Sequence, residues 1–346
     1  MNRNCPLAVV RSMNKPILNR DLYCPAIDAW IDPVAPKPRA IITHGHADHA
    51  RSGHGAVLAT PETIAIMQVR YGADCAARFE PLRFGEVLSI DGAKVSLHPA
   101  GHILGSAQVR IEAEGQRALV TGDYKRLPDR TAEPYEPVAC DLLVTEATFG
   151  LPVFQHPHPM DEIARLLKSV ADQPERCHLV GCYALGKAQR VIALLRDAGW
   201  NRPIYLHGAM IELCALYEEL GVPLGELLPA TGMPKAAMAG QIVIAPPSAI
   251  RDRWSRRFPD PVVCQASGWM SIKQRARQAL VELPLVISDH CDWGELNTSI
   301  LESGAETVWV THGREDALVY WCRQQGLHAD PLALPGLDDD GGEGGA

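Results

Sequence analysis

The sequence predicts an α/β protein of about two domains, and three features of the 346-residue chain carry that expectation. Short apolar runs repeatedly deliver a histidine or a carboxylate at their ends, as at His44, Asp123, Glu146, His290 and His312. Between residues 151 and 282, helical spacing alternates with short buried strands, the rhythm of a parallel sheet covered by helices. The length itself is enough to bury substantial cores.

Composition narrows the class. Hydrophobic residues make up 47% and charged residues 21% of the chain, ordinary values for a soluble globular protein. No apolar run reaches the roughly 18 residues of a membrane span, and the stretch from Cys5 to Val10 is too short for a signal-peptide core. A cytoplasmic location is therefore expected. Ten cysteines without a C-x-x-C pair speak against a disulfide framework or a thiolate zinc site, and they are expected to be reduced and mostly buried. The net charge of −8 argues against a protein that coats nucleic acid through bulk positive charge. It leaves a nuclease open, because part of the acidic excess would be neutralised by bound cations. Another part lies in Asp338, Asp339, Asp340 and Glu343 of the tail 336–346, which its Gly pairs mark as disordered.

Taken in order, residues 23–33 read as an extended piece ending in a turn, with Asp28 and Asp32 as its acids. Residues 39–43 read as a buried strand that leads into His44-Gly45-His46-Ala47-Asp48-His49. His44 and His46 are two apart, so an extended backbone points both imidazoles to one side, where they can share a metal. Asp48 and His49 follow at what reads as a helix start, where adjacent side chains diverge toward a second ion. Three imidazoles and a carboxylate form a mixed N/O set that favours Zn2+ or Mn2+ over an all-oxygen Mg2+ cage. A helix is expected at 61–71, with Ile64 and Met67 inward. Strands at 94–98 and 108–112 flank a turn whose two glycines give His102 room to aim into a site, whereas His98 sits on the strand and reads as structural. The strand 117–121 runs into Gly122-Asp123, and the strand 141–145 into Glu146.

Within 151–282, helices are expected at 161–170, 187–198 and 211–220, and strands at 179–182, 203–206 and 241–245. The turn from Cys182 to Lys187, with Tyr183, reads either as a phosphate site at a helix start or as a tight strand-to-helix connection. Arg251, Arg253, Arg256 and Arg257 around Trp254, then Lys273, Arg275 and Arg277, are the dense basic segments. They read as phosphate-neutralising or as a solvated face. The strand 283–288 leads to Asp289-His290, and 306–311 to His312. His54, His156, His158, His178, His207 and His328 lack this strand-end context and are expected to be core or surface residues.

The H-x-H-x-D-H run, the turn at His102, T-G-D at Asp123, E-A-T at Glu146, S-D-H-C-D at His290 and V-T-H-G at His312 together resemble the metallo-β-lactamase superfamily, in its β-CASP nuclease branch. With C-P-A, A-W-I-D-P, C-Y-A-L-G-K-A-Q-R and A-S-G-W-M, the chain is similar, over residues 22–326, to bacterial DNA exonucleases associated with an ATP-dependent DNA ligase and a helicase. That resemblance implies an αββα sandwich, 1–150 and 283–335, interrupted by a β-CASP α/β insert at 151–282. It implies two divalent ions, Zn2+ and/or Mn2+, one on His44, His46, His102 and Asp123 and the other on Asp48, His49, Asp123 and His312, with Asp48 and Asp123 both taking part in catalysis. Glu146 would orient His290, the residue that assists the departing oxygen, and Asp28, which matches the family's early aspartate better than Asp32, would hold a ligand histidine. Tyr183, Lys187 and the basic segments would contact DNA.

The expected activity is a metal-dependent DNA exonuclease on single-stranded ends in repair. Histidine in the position of His312 is the pattern of the RNA-processing members, so a ribonuclease is the alternative. A small-molecule metallohydrolase is disfavoured by the insert, and a non-catalytic scaffold by the complete set of ligand positions.

Overall fold

Two sheets face each other through apolar side chains that alternate along their strands, and the computed structural model describes them within residues 16–334. Cys5 and the tail 336–346 lie outside the described residues. The first sheet runs Tyr23–Cys24, Ala29–Ile31, Arg39–Ile41, Ala56–Ala59, Phe79–Pro81, antiparallel in its first pair and parallel thereafter. The second has seven strands in the order His328–Pro331, Thr307–Gly313, Leu142–Ala147, Gln116–Val120, Ala107–Ala113, Ala93–Pro99, Val87–Ile90. Its first four are parallel and the rest antiparallel. Ile31, Ile41 and Leu58 of the first sheet meet Val95, Leu97, Val109 and Val120 of the second in one core.

Helices cover both outer faces. Pro61–Tyr71 lays Ile64 and Met67 on Ala40, Val57 and Ala59. Trp293–Ser303 and Glu315–Gln324 lay Leu296, Ile300, Leu318 and Cys322 on Leu143, Val308 and Val310. This is the αββα sandwich, and the α/β fold class follows from it.

The third sheet has six strands, all parallel, in the order Leu227–Pro229, Ile204–Leu206, Ile242–Ala245, His178–Gly181, Val262–Ala266, Leu283–Leu285. Its core includes Val180, Ile244 and Leu195, and it extends to Ile66, Ile103 and Leu104 of the sandwich, so the insert rests directly on the metal-loop side. Because every strand points the same way, all the loops after their C-terminal ends leave one edge, where crevices of open α/β sheets take ligands. Leu283–Leu285 corrects the expected boundary at 282/283, since these residues pair with Cys264–Ala266 as the last strand of the insert. Apolar spacing marks a buried strand without saying which sheet it joins, and the chain returns to the sandwich only after it.

The nine cysteines among the described residues are unpaired and buried, and no helix of the described residues is long and apolar enough to cross a membrane. Replacing fully buried Leu285 by alanine should cost about 2–5 kcal/mol. Hydrogen exchange should quicken in Val262–Ala266 and stay unchanged in Thr307–Gly313; the opposite pattern would return this strand to the sandwich.

Candidate metal centre

Loops at the ends of several strands bring seven polar residues together. Beyond Arg39–Ile41, the backbone of Thr43 accepts from Ala107 N at 2.8 Å, joining the two sheets where the ligand run begins. His46 O then accepts from His49 N and Ala50 N at 3.2 and 2.7 Å. The segment carrying Asp48 and His49 is a single turn, not the expected helix start. His102 stands in the turn between Ala93–Pro99 and Ala107–Ala113, held by Ser106 Oγ, which accepts from its backbone N–H at 3.0 Å. Asp123 follows Gly122 (φ +56°), where an added Cβ would lie 2.8 Å from Thr43 Cβ, so only glycine lets the two loops approach this closely.

His312 owes its aim to a β-bulge. Glu146 pairs with Thr311 and Ala147 with Gly313, which leaves His312 as the extra residue at φ +55°. Gly313, at φ +115°, passes 2.7 Å from Ala147 C as measured from the Cβ it lacks.

Three groups of side chains converge with ligand-like spacing: first His44, His46, His102 and Asp123, second Asp48, His49 and His312, and third Asp123, Glu146 and His290. In the first, His46 Nδ1 lies 3.1 Å from His44 Nε2 and 3.0 Å from His102 Nε2, and Asp123 Oδ2 lies 3.5 and 3.8 Å from those two Nε2 atoms. Ligands at 2.0–2.2 Å from a tetrahedral ion stand about 3.4 Å apart, so these four atoms fit one ion. Asp123 Oδ1 is 3.5 Å from His49 Nε2, placing the same carboxylate between the first and second groups. His49 Nε2 is buried, has no hydrogen-bond partner among the described residues, and lies 3.8 Å from Asp48 Oδ2. A walled-in ring nitrogen facing two carboxylates is suited to a cation, be it a proton or a metal ion.

Protonation agrees with ligation in the first group. Burial pulls the pKa values of His44, His46 and His102 below the ordinary value, which keeps the rings neutral. His49 goes the other way. Burial opposes its charge, but Asp123, Asp48 and the bond to Asp32 hold a proton on it well above the usual range, a proton that metal binding would release.

Four of the rings, His44, His46, His49 and His102, are aimed by an oxygen on the far side. His49 Nδ1–H donates to Asp32 Oδ2 at 2.8 Å. His44 Nδ1–H donates to Thr43 Oγ1 at 3.1 Å, and Thr43 Oγ1–H donates to Asp32 Oδ2 at 2.5 Å. His46 Nε2–H reaches Leu185 O at 3.2 Å, and His102 Nδ1–H reaches Asp289 O at 2.8 Å. Asp32 therefore does what was expected of Asp28. Asp28 is exposed and accepts from Tyr23 Oη at 2.9 Å. Both aspartates sit at positive φ beside the strand Ala29–Ile31, but only Asp32 follows it to the metal-loop end.

Glu146 accepts from Tyr124 N at 2.8 Å and from His290 Nδ1 at 2.9 and 3.0 Å. Burial disfavours charge on His290, but Glu146 and Asp123 outweigh it and raise its pKa to about 9; cations beside Asp123 would act in the opposite sense. A cleft lined by His46, Asp48, His102, Asp123, Tyr183 and His290 opens onto the centre.

Lys187 is not at a surface phosphate site. Its side chain is 2% exposed and its ammonium lies 3.1 Å from Asp289 Oδ2. The basic segments do leave the sheet edge that faces the centre. Arg275 stacks 4.0 Å over Trp269, which packs 4.8 Å from Phe149, itself 6.1 Å from His290. Arg251, Arg253, Arg256 and Lys273 are exposed, and Arg257 lies over Trp254. His156, expected to need no role, packs 4.7 Å from Phe149 and lines a cavity of about 300 Å³ with His290.

No family model matches the chain. A protein of Opitutus terrae named "Probable DNA ligase" is 30% identical over 313 residues, covering 89% of this chain and 30% of that protein. "Endoribonuclease YSH1" of Yarrowia lipolytica is 29% identical over 221 residues, 51% of this chain and 26% of that protein. The chain thus spans less than a third of the length of either relative. The crystal structure of a protein of unknown function from Enterococcus faecalis V583 matches with a TM-score of 0.54 at 13% identity, over 79% of this chain and 74% of that one, a likeness of fold alone. With the fold and the His/Asp groups above, these relatives support a likeness to the metallo-β-lactamase superfamily and its β-CASP branch.

Asp32→Asn should weaken binding of both ions by roughly 10–100-fold, because His44 and His49 both lean on it, whereas Asp28→Asn should change neither. Zn2+ titration of the metal-free variants would show this, and equal effects of the two would remove Asp32 from the role.

Proposed function

We propose that the protein is a metal-dependent nuclease that hydrolyses phosphodiester bonds of DNA, acting as an exonuclease on single-stranded ends in repair. The observation that carries the reading is the shared carboxylate: Asp123 stands between a three-histidine group and an Asp48/His49/His312 group, with the His290–Glu146 pair beside it. His44, His46, His102 and Asp123 would hold one ion, and Asp48, His49, Asp123 and His312 the other, Zn2+ and/or Mn2+ by their donor set. Two such ions supply Lewis acidity at the phosphate and a nucleophile at neutral pH.

The chain's own residues do the rest. Glu146 fixes the Nδ1–H of His290, so Nε2 faces the cleft and carries or yields a proton at the departing oxygen, a contribution of typically 10²–10⁴-fold. Tyr183 and the basic segments at the insert's sheet edge, Arg251, Arg253, Arg256, Arg257, Lys273 and Arg275, hold the backbone of the strand. Arg275 on Trp269 adds a flat cationic surface on the approach to His290. The relative named a probable DNA ligase, which matches 89% of this chain, supports DNA over RNA. It also supports a partnership with a DNA ligase, whereas ATP dependence and a helicase partner rest on the sequence resemblance alone.

A ribonuclease is the second reading, supported by His312 and by the relative named an endoribonuclease. Single-stranded DNA and RNA oligonucleotides labelled at either end decide between them. The expected outcome is mononucleotide release from DNA well above RNA, absent in Asp123→Asn; preference for RNA or internal cuts alone would favour the ribonuclease. His290→Ala should lower kcat by about 10²-fold or more and leave metal content at the wild-type level; loss of bound metal would make His290 a ligand instead.

A further inference from the structure

The rings of the three-histidine group are not all aimed by the sandwich. His46 donates to Leu185 O, a backbone carbonyl of the insert, and His102 donates to Asp289 O, in the segment where the chain returns from the insert. That segment is gripped by the first turn of the insert helix Lys187–Asp197. Lys187 Nζ donates to Ile287 O at 3.0 Å and pairs with Asp289 Oδ2 at 3.1 Å. Arg190, one turn along on the same helix face, donates to Ser288 O and pairs with Asp289 Oδ1 at 2.8 Å. On its other side Arg190 Nε lies 3.1 Å from Asp129 Oδ2, and Asp129 pairs with Lys125. Lys187, Asp289, Arg190, Asp129 and Lys125 thus alternate in sign across the boundary between insert and sandwich, each 8% exposed or less. Nothing in the hydrolytic chemistry uses this row of charges. Its geometric product is the placement of three successive residues, the last of which aims His102.

Leu185 is seated by the same helix start. Gly186, at φ +82°, passes against the side chain of Ile103, and a Cβ there would also come 3.9 Å from His46 Nε2. Insert, turn and ligand ring fit only when the insert is docked.

We propose that Lys187 and Arg190 are positioning residues for the metal centre, and that docking of the insert and ion uptake by His44, His46, His102 and Asp123 are one coupled equilibrium. The proposal rests on the reading that these four residues hold an ion. Coupling is reciprocal: the ion stabilises the docked insert as the docked insert favours the ion. In the second group His49 is aimed by Asp32 of the sandwich, and among the described residues Asp48 and His312 take no hydrogen bond from the insert, so the coupling should act more strongly on the first ion than on the second, which it reaches only through the shared Asp123.

The test is a Zn2+ titration of the full metal-free chain, wild type against Arg190→Met and Lys187→Met, together with hydrogen exchange of residues 182–190 in the wild type with and without Zn2+. The expected result is two ions in the wild type, one of them weakened roughly 10–100-fold in each variant and the other within about twofold, with wild-type exchange at 182–190 slowed by Zn2+. Two ions bound at wild-type strength by both variants, or equal weakening of both ions, would overturn the positioning role. Exchange at 182–190 that Zn2+ leaves unchanged would overturn the coupling, and this measurement stands even where a variant fails to fold. A wild type that takes up no Zn2+ would remove the metal-centre reading itself, an outcome separate from failure of the clamp.

Discussion

Everything at the centre depends on fixing imidazole rings so that their working nitrogens face one another and Asp123. A buried ring nitrogen without a partner is costly, and a free imidazole would turn to satisfy it. The protein prevents this by occupying the opposite nitrogen with an oxygen that can only accept: the Asp32 carboxylate for His49, and backbone carbonyls for His46 and His102. Such an oxygen cannot donate, so the nitrogen facing it must carry the hydrogen, which leaves the centre-facing nitrogen of the neutral His46 and His102 with the lone pair, and that of His49 with one once its extra proton is released. His44 is held one step removed, through the Thr43 hydroxyl to the same Asp32. Tautomer, ring direction and readiness for a cation are thus set together by hydrogen bonds outside the centre.

Close backbone approach is the second condition, and it explains why three of the polar motifs include glycine. Gly122 lets the Asp123 loop pass against Thr43, the residue that relays Asp32 to His44. Gly313 crosses the Ala147 carbonyl and completes the bulge that turns His312 away from its strand's regular alternation. Gly186 seats the insert on Ile103 beside His46. In each case a side chain would separate two loops by more than a hydrogen bond can span. The glycines therefore belong to the geometry of the centre although none contributes a polar side chain.

The ligand run, His102, Asp123, Glu146, His290 and His312 were legible because each follows an apolar run that can only be a buried strand, and strand ends are where a sheet presents side chains. The parallel insert followed from the same periodicity, whereas the four-layer αββα sandwich was implied by the resemblance of the motifs. Periodicity does not show which partner a strand takes, so Leu283–Leu285 was assigned to the wrong sheet. Nor does it rank two acids flanking one short strand. Asp28 and Asp32 share the left-handed backbone and the turn context, and what separates them is that Asp32 N donates to Ile41 O at 2.9 Å, next to the ligand run. Lys187 illustrates a third limit: a lysine at a helix start reads as a phosphate group's partner, and only the arrival of Asp289 from about a hundred residues away in sequence shows where its charge is spent. Carbonyl contacts such as those of Leu185 and Asp289 leave no signature in side-chain identity at all.

A net charge of −8 hides how the charge is arranged, which is by depth. Asp32, Asp48, Asp123 and Glu146 are gathered around the centre, where their partners are imidazoles and, when bound, cations. The interdomain row sets three cations against two carboxylates and buries all five. Arg251, Arg253, Arg256, Lys273 and Arg275 of the insert stay exposed. Water and salt screen surface charges beyond about 8–10 Å, so an anion close to these residues would experience them far more than the total. The deep carboxylates, whose desolvation is offset by the groups around them, affect what the centre can bind more than what approaches it.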